Sequence, residues 1–127
     1  MMKNEFIPYE EALALKELGF DEKCIGMYYH KDGFKMLGGD FYYKKPFKFS
    51  EVHRPQPHWA SAPLYQQAFR WIREKYSDLN PTRNLLLILD KTAQTDNPMS
   101  YEEAELACLR KLIEIIKETQ DIQSHFQ

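Results

Sequence analysis

Between Tyr28 and Trp59 the chain interleaves nine aromatic residues, Tyr28, Tyr29, Phe34, Phe41, Tyr42, Tyr43, Phe47, Phe49 and Trp59, with six basic ones, Lys31, Lys35, Lys44, Lys45, Lys48 and Arg54. Against three acids, Asp32, Asp40 and Glu51, this segment carries a net +3; the remainder, with eleven basic and sixteen acidic residues, carries −5. Positive charge beside aromatic faces is the chemistry of single-stranded nucleic-acid binding, in which cations meet phosphates and rings stack on bases. The same composition suits a half-buried strand whose alternate aromatics pack under helices while its lysines face water. No sequence motif of a known nucleic-acid-binding module accompanies it. The candidate contact residues, for a protein partner or for nucleic acid, are Tyr42, Tyr43, Lys44, Lys45, Lys48, Arg54 and Trp59.

Other groups that could do chemistry do not assemble into a pattern. His53 and His58 flank a stiff Arg54-Pro55-Gln56-Pro57 stretch. A metal would need further ligands such as His30, Cys24 or Asp40, at spacings that match no known site. Neither a metal nor a cofactor is therefore expected. Cys24 and Cys108 lie on apolar-patterned elements, where a thiol behaves as a small core hydrophobe. Neither they nor any serine carries a nucleophile signature. Gly38-Gly39 lacks the further Gly, Lys and helix of a phosphate loop. The acidic pairs Glu10-Glu11 and Glu102-Glu103 fit the first turns of helices, where carboxylates offset the helix dipole. An enzyme would have to be built from residues scattered along the chain.

The elements that position these residues follow from local signals. The pattern Tyr-Glu-Glu-Ala or Tyr-Gln-Gln-Ala occurs at Tyr9, Tyr65 and Tyr101, each time opening a segment of helical hydrophobic spacing. The spacings are unequal, which excludes a solenoid repeat. The alanine three residues on leaves room for the ring across the first turn. The alternative is a ligand site shared by the three tyrosines. A first helix is expected from Pro8 to Leu18, ended by Gly19 in a left-handed cap with Phe20 folding back on Leu15. A strand covers Lys23 to His30, and Asp32-Gly33 makes a tight turn into a second strand at Phe34. Gly38-Gly39 marks a break or bend, Phe41 to Tyr43 a further strand, and Lys44 to Trp59, with three prolines, an extended loop. A second helix is expected from Ser61, as cap, to Tyr76, with Pro63 in its first turn and Leu64, Ala68, Trp71 and Ile72 as its stripe. The run Leu85 to Leu89 suits a strand buried on both faces at the centre of the sheet. A capping box, Ser100 with Glu103, opens a third helix reaching about Thr119. Its inward face is Ala104, Cys108, Leu112, Ile115 and Ile116, and residues 121–127 form a polar, frayed tail.

The expected fold is thus α+β, a small mainly antiparallel or mixed sheet packed by three helices, in the order α-β-β-(β)-α-β-α. With 127 residues the chain is expected to form a single domain that buries a core without metal or disulfide staples. The net charge of −2 gives no whole-protein attraction to nucleic acid or anionic membrane. Met1 to Phe6 lacks the apolar stretch of a signal peptide, and Leu85 to Leu89 is too short to span a bilayer. The expected location is the cytoplasm, without membrane association.

Three pieces, Pro8-Tyr-Glu-Glu-Ala-Leu-Ala-Leu-Lys-Glu-Leu-Gly-Phe-Asp21, Ala62-Pro-Leu-Tyr-Gln-Gln-Ala-Phe-Arg-Trp-Ile-Arg-Glu-Lys-Tyr76 and Tyr101-Glu-Glu-Ala-Glu-Leu-Ala-Cys-Leu-Arg-Lys-Leu-Ile-Glu-Ile-Ile-Lys117, together resemble a family of short uncharacterised proteins of bacteriophages and gut bacteria. The resemblance covers the three expected helices, somewhat under half of the chain. It implies a viral or mobile-element origin, and neither an activity nor site residues. The functional expectation is a small interaction module with a protein partner, a host factor or a second copy of itself. The alternative is a nucleic-acid-binding accessory protein using residues 28–59.

Overall fold

The computed structural model describes residues 5–36, 46–52 and 54–125, which form an α+β fold. Four expectations lie outside the described residues: the Gly38-Gly39 break, the Phe41 to Tyr43 strand, the contact residues Tyr42, Tyr43, Lys44 and Lys45, and His53. The chain forms two compact units, Met1–Ala68 and Phe69–Gln127.

The first unit begins with α1 (Tyr9–Glu17). Pro8 stands at its N-cap, and Glu10 and Glu11 occupy its first turn. At its other end Gly19 has φ 100°. The Gly19 N–H donates to the Lys16 carbonyl and the Phe20 N–H to that of Leu15, at 3.0 and 2.9 Å. These two bonds are the Schellman pair, and they need the left-handed conformation that glycine adopts without penalty.

Among the described residues the unit's sheet has three antiparallel strands, β1 (Gly26–Tyr28), β2 (Phe34–Met36) and β3 (Ala60–Ala62), in the order β2-β1-β3. Met27 is the middle of β1 and pairs with Lys35 on one side and Ser61 on the other. The β1–β2 turn closes where expected: the Tyr29 N–H donates to the Gly33 carbonyl at 2.9 Å and Asp32 N–H to His30 Nδ1 at 3.2 Å. Gly26 is required by close approach. A Cβ there would stand 2.9 Å from Phe6 Cε1 and 3.0 Å from Phe34 Cε2, and those two rings lie with centroids 4.9 Å apart.

β3 corrects an expectation. Ser61 does not cap the second helix; it lies in β3, paired with Met27. Pro63 is the cause: it pushes Ala62, the residue before it, out of the helical region into extended conformation, so no helix can start directly after Ser61. Ala60, Ser61 and Ala62 are all buried, and their small side chains let α1 pack against this strand. α2 (Tyr65–Lys75) begins two residues after Pro63 and buries Ala68, Trp71 and Ile72 of the expected stripe. It runs from the end of the first unit into the second.

The second unit corrects a larger expectation. Leu85 to Leu89 is not a strand but the middle of a helix, α3 (Pro81–Ala93). Asn80 caps it, its side-chain oxygen accepting from the Arg83 N–H at 3.1 Å, and Pro81 takes the first helical position. Four of the five apolar residues are leucines, which favour helix; only Ile88 is β-branched. Among the described residues the element order is therefore α-β-β-β-α-α-α, with four helices and the sheet confined to the first unit.

α4 (Tyr101–His125) opens with the expected capping box: the Glu103 N–H donates to Ser100 Oγ at 3.1 Å and the Ser100 N–H to Glu103 Oε1 at 3.0 Å. Its buried face is Ala104, Cys108, Leu109, Leu112, Ile113 and Ile116, with Ile115 half-buried. The helix continues through His125, past the point where composition suggests fraying. α3 packs on α4, and the Cys108 thiol donates to the Pro81 carbonyl at 3.6 Å. The connection between them is fixed by Thr92, whose Oγ1 accepts from the Met99 N–H at 2.7 Å.

The repeated tyrosine pattern marks helix starts. Tyr9, Tyr65 and Tyr101 are the first residues of α1, α2 and α4. The alanines Ala12, Ala68 and Ala104 are all buried, whereas the tyrosines range from buried at Tyr65 to largely exposed at Tyr101. The common element is thus the small residue at a packed position, not the ring.

Candidate interaction surface

The described part of the basic-aromatic segment turns its rings inward. Met27, Phe47 and Val52 form a small buried cluster, with Tyr29, Phe49 and Trp59 packed against it. Tyr29 and Trp59 meet edge-to-face, centroids 4.9 Å apart. Phe47 is anchored by a two-way backbone bridge with Cys24, at 2.9 and 3.2 Å.

Lys16 closes this cluster from α1. Its ammonium donates to the carbonyls of Pro57 and Trp59 at 2.9 and 2.8 Å and stands 4.1 Å from the Phe49 ring centroid. Burial holds its pKa below the ordinary lysine value, against a smaller opposing effect of Glu17. Tyr9 adds a bond from its hydroxyl to the His58 carbonyl at 2.6 Å. The loop from Pro57 to Trp59 is therefore tied to α1 by side chains from two of its turns.

Of the sequence-derived candidates within the described residues, Trp59 is half-buried in this cluster. Lys48 is exposed and stands before a 3₁₀ turn, Phe49–Glu51, where its N–H donates to Glu51 Oε1 at 2.8 Å. Arg54 is exposed, with a left-handed φ of 55° that turns the chain into Pro55. Two cations thus face water here, while Tyr28, Phe47 and Trp59 are committed to internal packing.

The thiols are removed from chemistry. Burial pushes the Cys24 pKa up to about 12 and that of Cys108 up to about 11, with nearby carboxylates adding to both. At neutral pH both are protonated, and a protonated thiol is neither a nucleophile nor a metal ligand. Among the described residues no three His, Cys, Asp or Glu side chains are grouped to hold a metal ion.

The surface that stands out is on α3. Leu86 is 61% and Leu87 49% exposed, and none of the five residues from Leu85 to Leu89 is fully buried. Arg83, Leu86, Leu87 and Asp90 follow helical spacing and share one face, within about 100° of the helix circumference. Together with Asn80 and Thr82 they line a shallow, open depression. A small substrate would leave most of its surface wet there, whereas enzymes and cofactor sites enclose their ligands. A flat apolar stripe suits another protein surface.

Sequence reasoning missed this face because it assigned the run to a buried strand. The signal that could have found it is Asn80-Pro81, an N-cap followed by proline at the first helical position. Leu86 and Leu87 then fall between Arg83 and Asp90 on one side of a helix.

No protein-family model, curated protein or solved structure matches this chain. Among the described residues no helix is long and apolar enough to cross a membrane.

Proposed function

We propose that the chain is a small cytoplasmic interaction module, an accessory protein of viral or mobile-element origin, that docks a protein partner on the outer face of α3. The observation that carries this reading is the adjacent exposure of Leu86 and Leu87 on a helix whose apolar run is nowhere fully buried. Exposed apolar patches of this kind mark interaction sites. The origin rests on the helix segments that resemble phage and gut-bacterial proteins.

The test is capture from the native host by wild-type bait and by a Leu86→Glu/Leu87→Glu bait of equal helicity. A protein retained by the first and lost by the second supports the reading. Equal recovery by both baits refutes it.

A second reading, nucleic-acid binding through residues 28–59, is favoured by the exposed cations Lys48 and Arg54 and the local net +3. It predicts binding that falls steeply with salt and disappears on changing Lys44, Lys45 and Lys48 together to Glu. Inward packing of Tyr28, Phe47 and Trp59 leaves fewer rings for bases to stack on, which places this reading second.

A further inference from the structure

The exposed stripe on α3 is symmetric. Reading along one face it runs Arg83, Leu86, Leu87, Asp90: a cation, two leucines and an anion, centred between Leu86 and Leu87. Two such helices laid antiparallel about a two-fold axis at that centre place Arg83 against the partner's Asp90 and Leu86 against the partner's Leu87. A two-fold interface must be self-complementary in this sense: where one residue meets a second on the partner, that second residue meets the partner's copy of the first.

The charges are also placed against their own helix. A cation near the N-terminus and an anion near the C-terminus both oppose the helix dipole. The first turns of α1 and α4 carry glutamates, whereas that of α3 carries no acid and has Arg83 at its third position. Neither the Arg83 guanidinium nor the Asp90 carboxylate has an ion-pair partner among the described residues. An antiparallel neighbour reverses both penalties. Arg83 then lies beside the partner's Asp90 and the negative end of the partner's helix.

We infer that the protein partner of the α3 face is a second copy of this chain, paired through antiparallel α3 helices with Arg83–Asp90 ion pairs at both ends of a Leu86–Leu87 contact. This rests on the reading of α3 as a docking face and names its occupant. A contact between two helices of 13 residues is small, below the area of a standard stable interface. The dimer is therefore weak and populated at roughly 100 µM chain, not in the nanomolar range.

Sedimentation equilibrium of the full chain from about 10 µM to about 1 mM tests this, with four proteins compared across the span in which such a dimer must appear. Wild type is expected to dimerise. Arg83→Asp and Asp90→Arg, each alone, should weaken the dimer by about tenfold or more, because each puts like charges together at both ends. The double variant Arg83→Asp/Asp90→Arg should restore association to near the wild-type level. Each single reversal puts a dipole-favourable charge on α3, so helicity measured by circular dichroism should hold or rise, and loss of dimer cannot come from loss of the helix.

A wild-type chain that stays monomeric throughout overturns the inference. A dimer indifferent to both single reversals, or one the double exchange does not restore, also overturns it. The docking reading fails separately. If a monomeric wild type still retains a different protein through Leu86 and Leu87, that reading survives and only self-pairing is lost.

Discussion

The aromatic cluster around Met27 and the leucine stripe of α3 put apolar side chains to opposite uses. In the first unit, rings that composition presents as a binding platform are folded inward and closed by Lys16 over the Phe49 ring. In the second, a run that composition presents as a buried strand lies on a helix and leaves Leu86 and Leu87 in water. Apolar content alone therefore does not locate an interaction surface. What decides is whether the neighbouring element has side chains to cover it. α1 supplies Lys16 and Tyr9 to the aromatic cluster, while the outer stripe of α3 is left uncovered.

If that contrast holds, substitutions in the two regions must differ sharply in cost. The largest loss should come from Met27→Ala. Met27 is fully buried in the central strand beneath Phe47 and Val52, and a deletion of that size in a core costs about 2–5 kcal/mol. Chemical denaturation measures it. A loss below about 0.5 kcal/mol, the range of surface changes, would mean the cluster is not a core.

Lys16→Met should come next. The substitution keeps the apolar stem but leaves the Pro57 and Trp59 carbonyls without their charged donor. Hydrogen bonds to charged groups are worth about 1.5–3 kcal/mol each, and partial exposure of this site puts the total near the low end. Trp59 fluorescence should shift to the red as its loop loosens; an unchanged spectrum and midpoint would show that Lys16 merely lies on the surface.

Ser100→Ala should cost about 1 kcal/mol, the usual worth of an N-cap. It should also change the response to acid. The Glu103 carboxyl is held below its ordinary pKa by the Ser100 N–H first and the Ser100 hydroxyl second. A depressed carboxylate pKa contributes stability above the unfolded value and loses it as pH falls through the folded one. Below the carboxylate range, wild type should thus lose the stability that comes from Glu103. In Ser100→Ala part of that acid sensitivity should vanish, since one of the two bonds remains. Parallel pH profiles for the two proteins would contradict the box.

The order of these effects bears on how much of the molecule can be read from residues alone. End signals are local, and they were readable: the Gly19 turn after α1, the Asp32-Gly33 turn into β2, and the Ser100–Glu103 box are all present. They involve only neighbours in sequence, so composition contains the whole interaction. The α3 run failed because five consecutive apolar residues satisfy strand and helix alike. The arbiter is Asn80-Pro81, an N-cap followed by proline at the first helical position. β3 failed for a similar reason: Ser61 before Pro63 resembles a helix cap, and only pairing with Met27 makes it a strand. The candidate site was less readable still. Whether Trp59 or Leu86 faces water depends on which distant side chains reach it, and that information lies in the fold.

The smallest effect expected sharpens the comparison most. Leu86→Gln/Leu87→Gln replaces two exposed leucines by a residue of nearly equal helix propensity. In dilute solution its stability should lie within about 0.5 kcal/mol of wild type, because no internal packing is removed. A paired face makes a further demand. A dimer stabilises the folded chain by mass action, so the wild-type melting temperature should rise with protein concentration while that of the variant stays flat. The two curves should meet at low concentration and separate above roughly 100 µM, where a small helix–helix interface begins to fill. A large deficit already present in the dilute variant would place these leucines inside the fold and dissolve the contrast with the aromatic cluster. Two flat, superimposed curves would keep the leucines on the surface but leave them unpaired by a second copy.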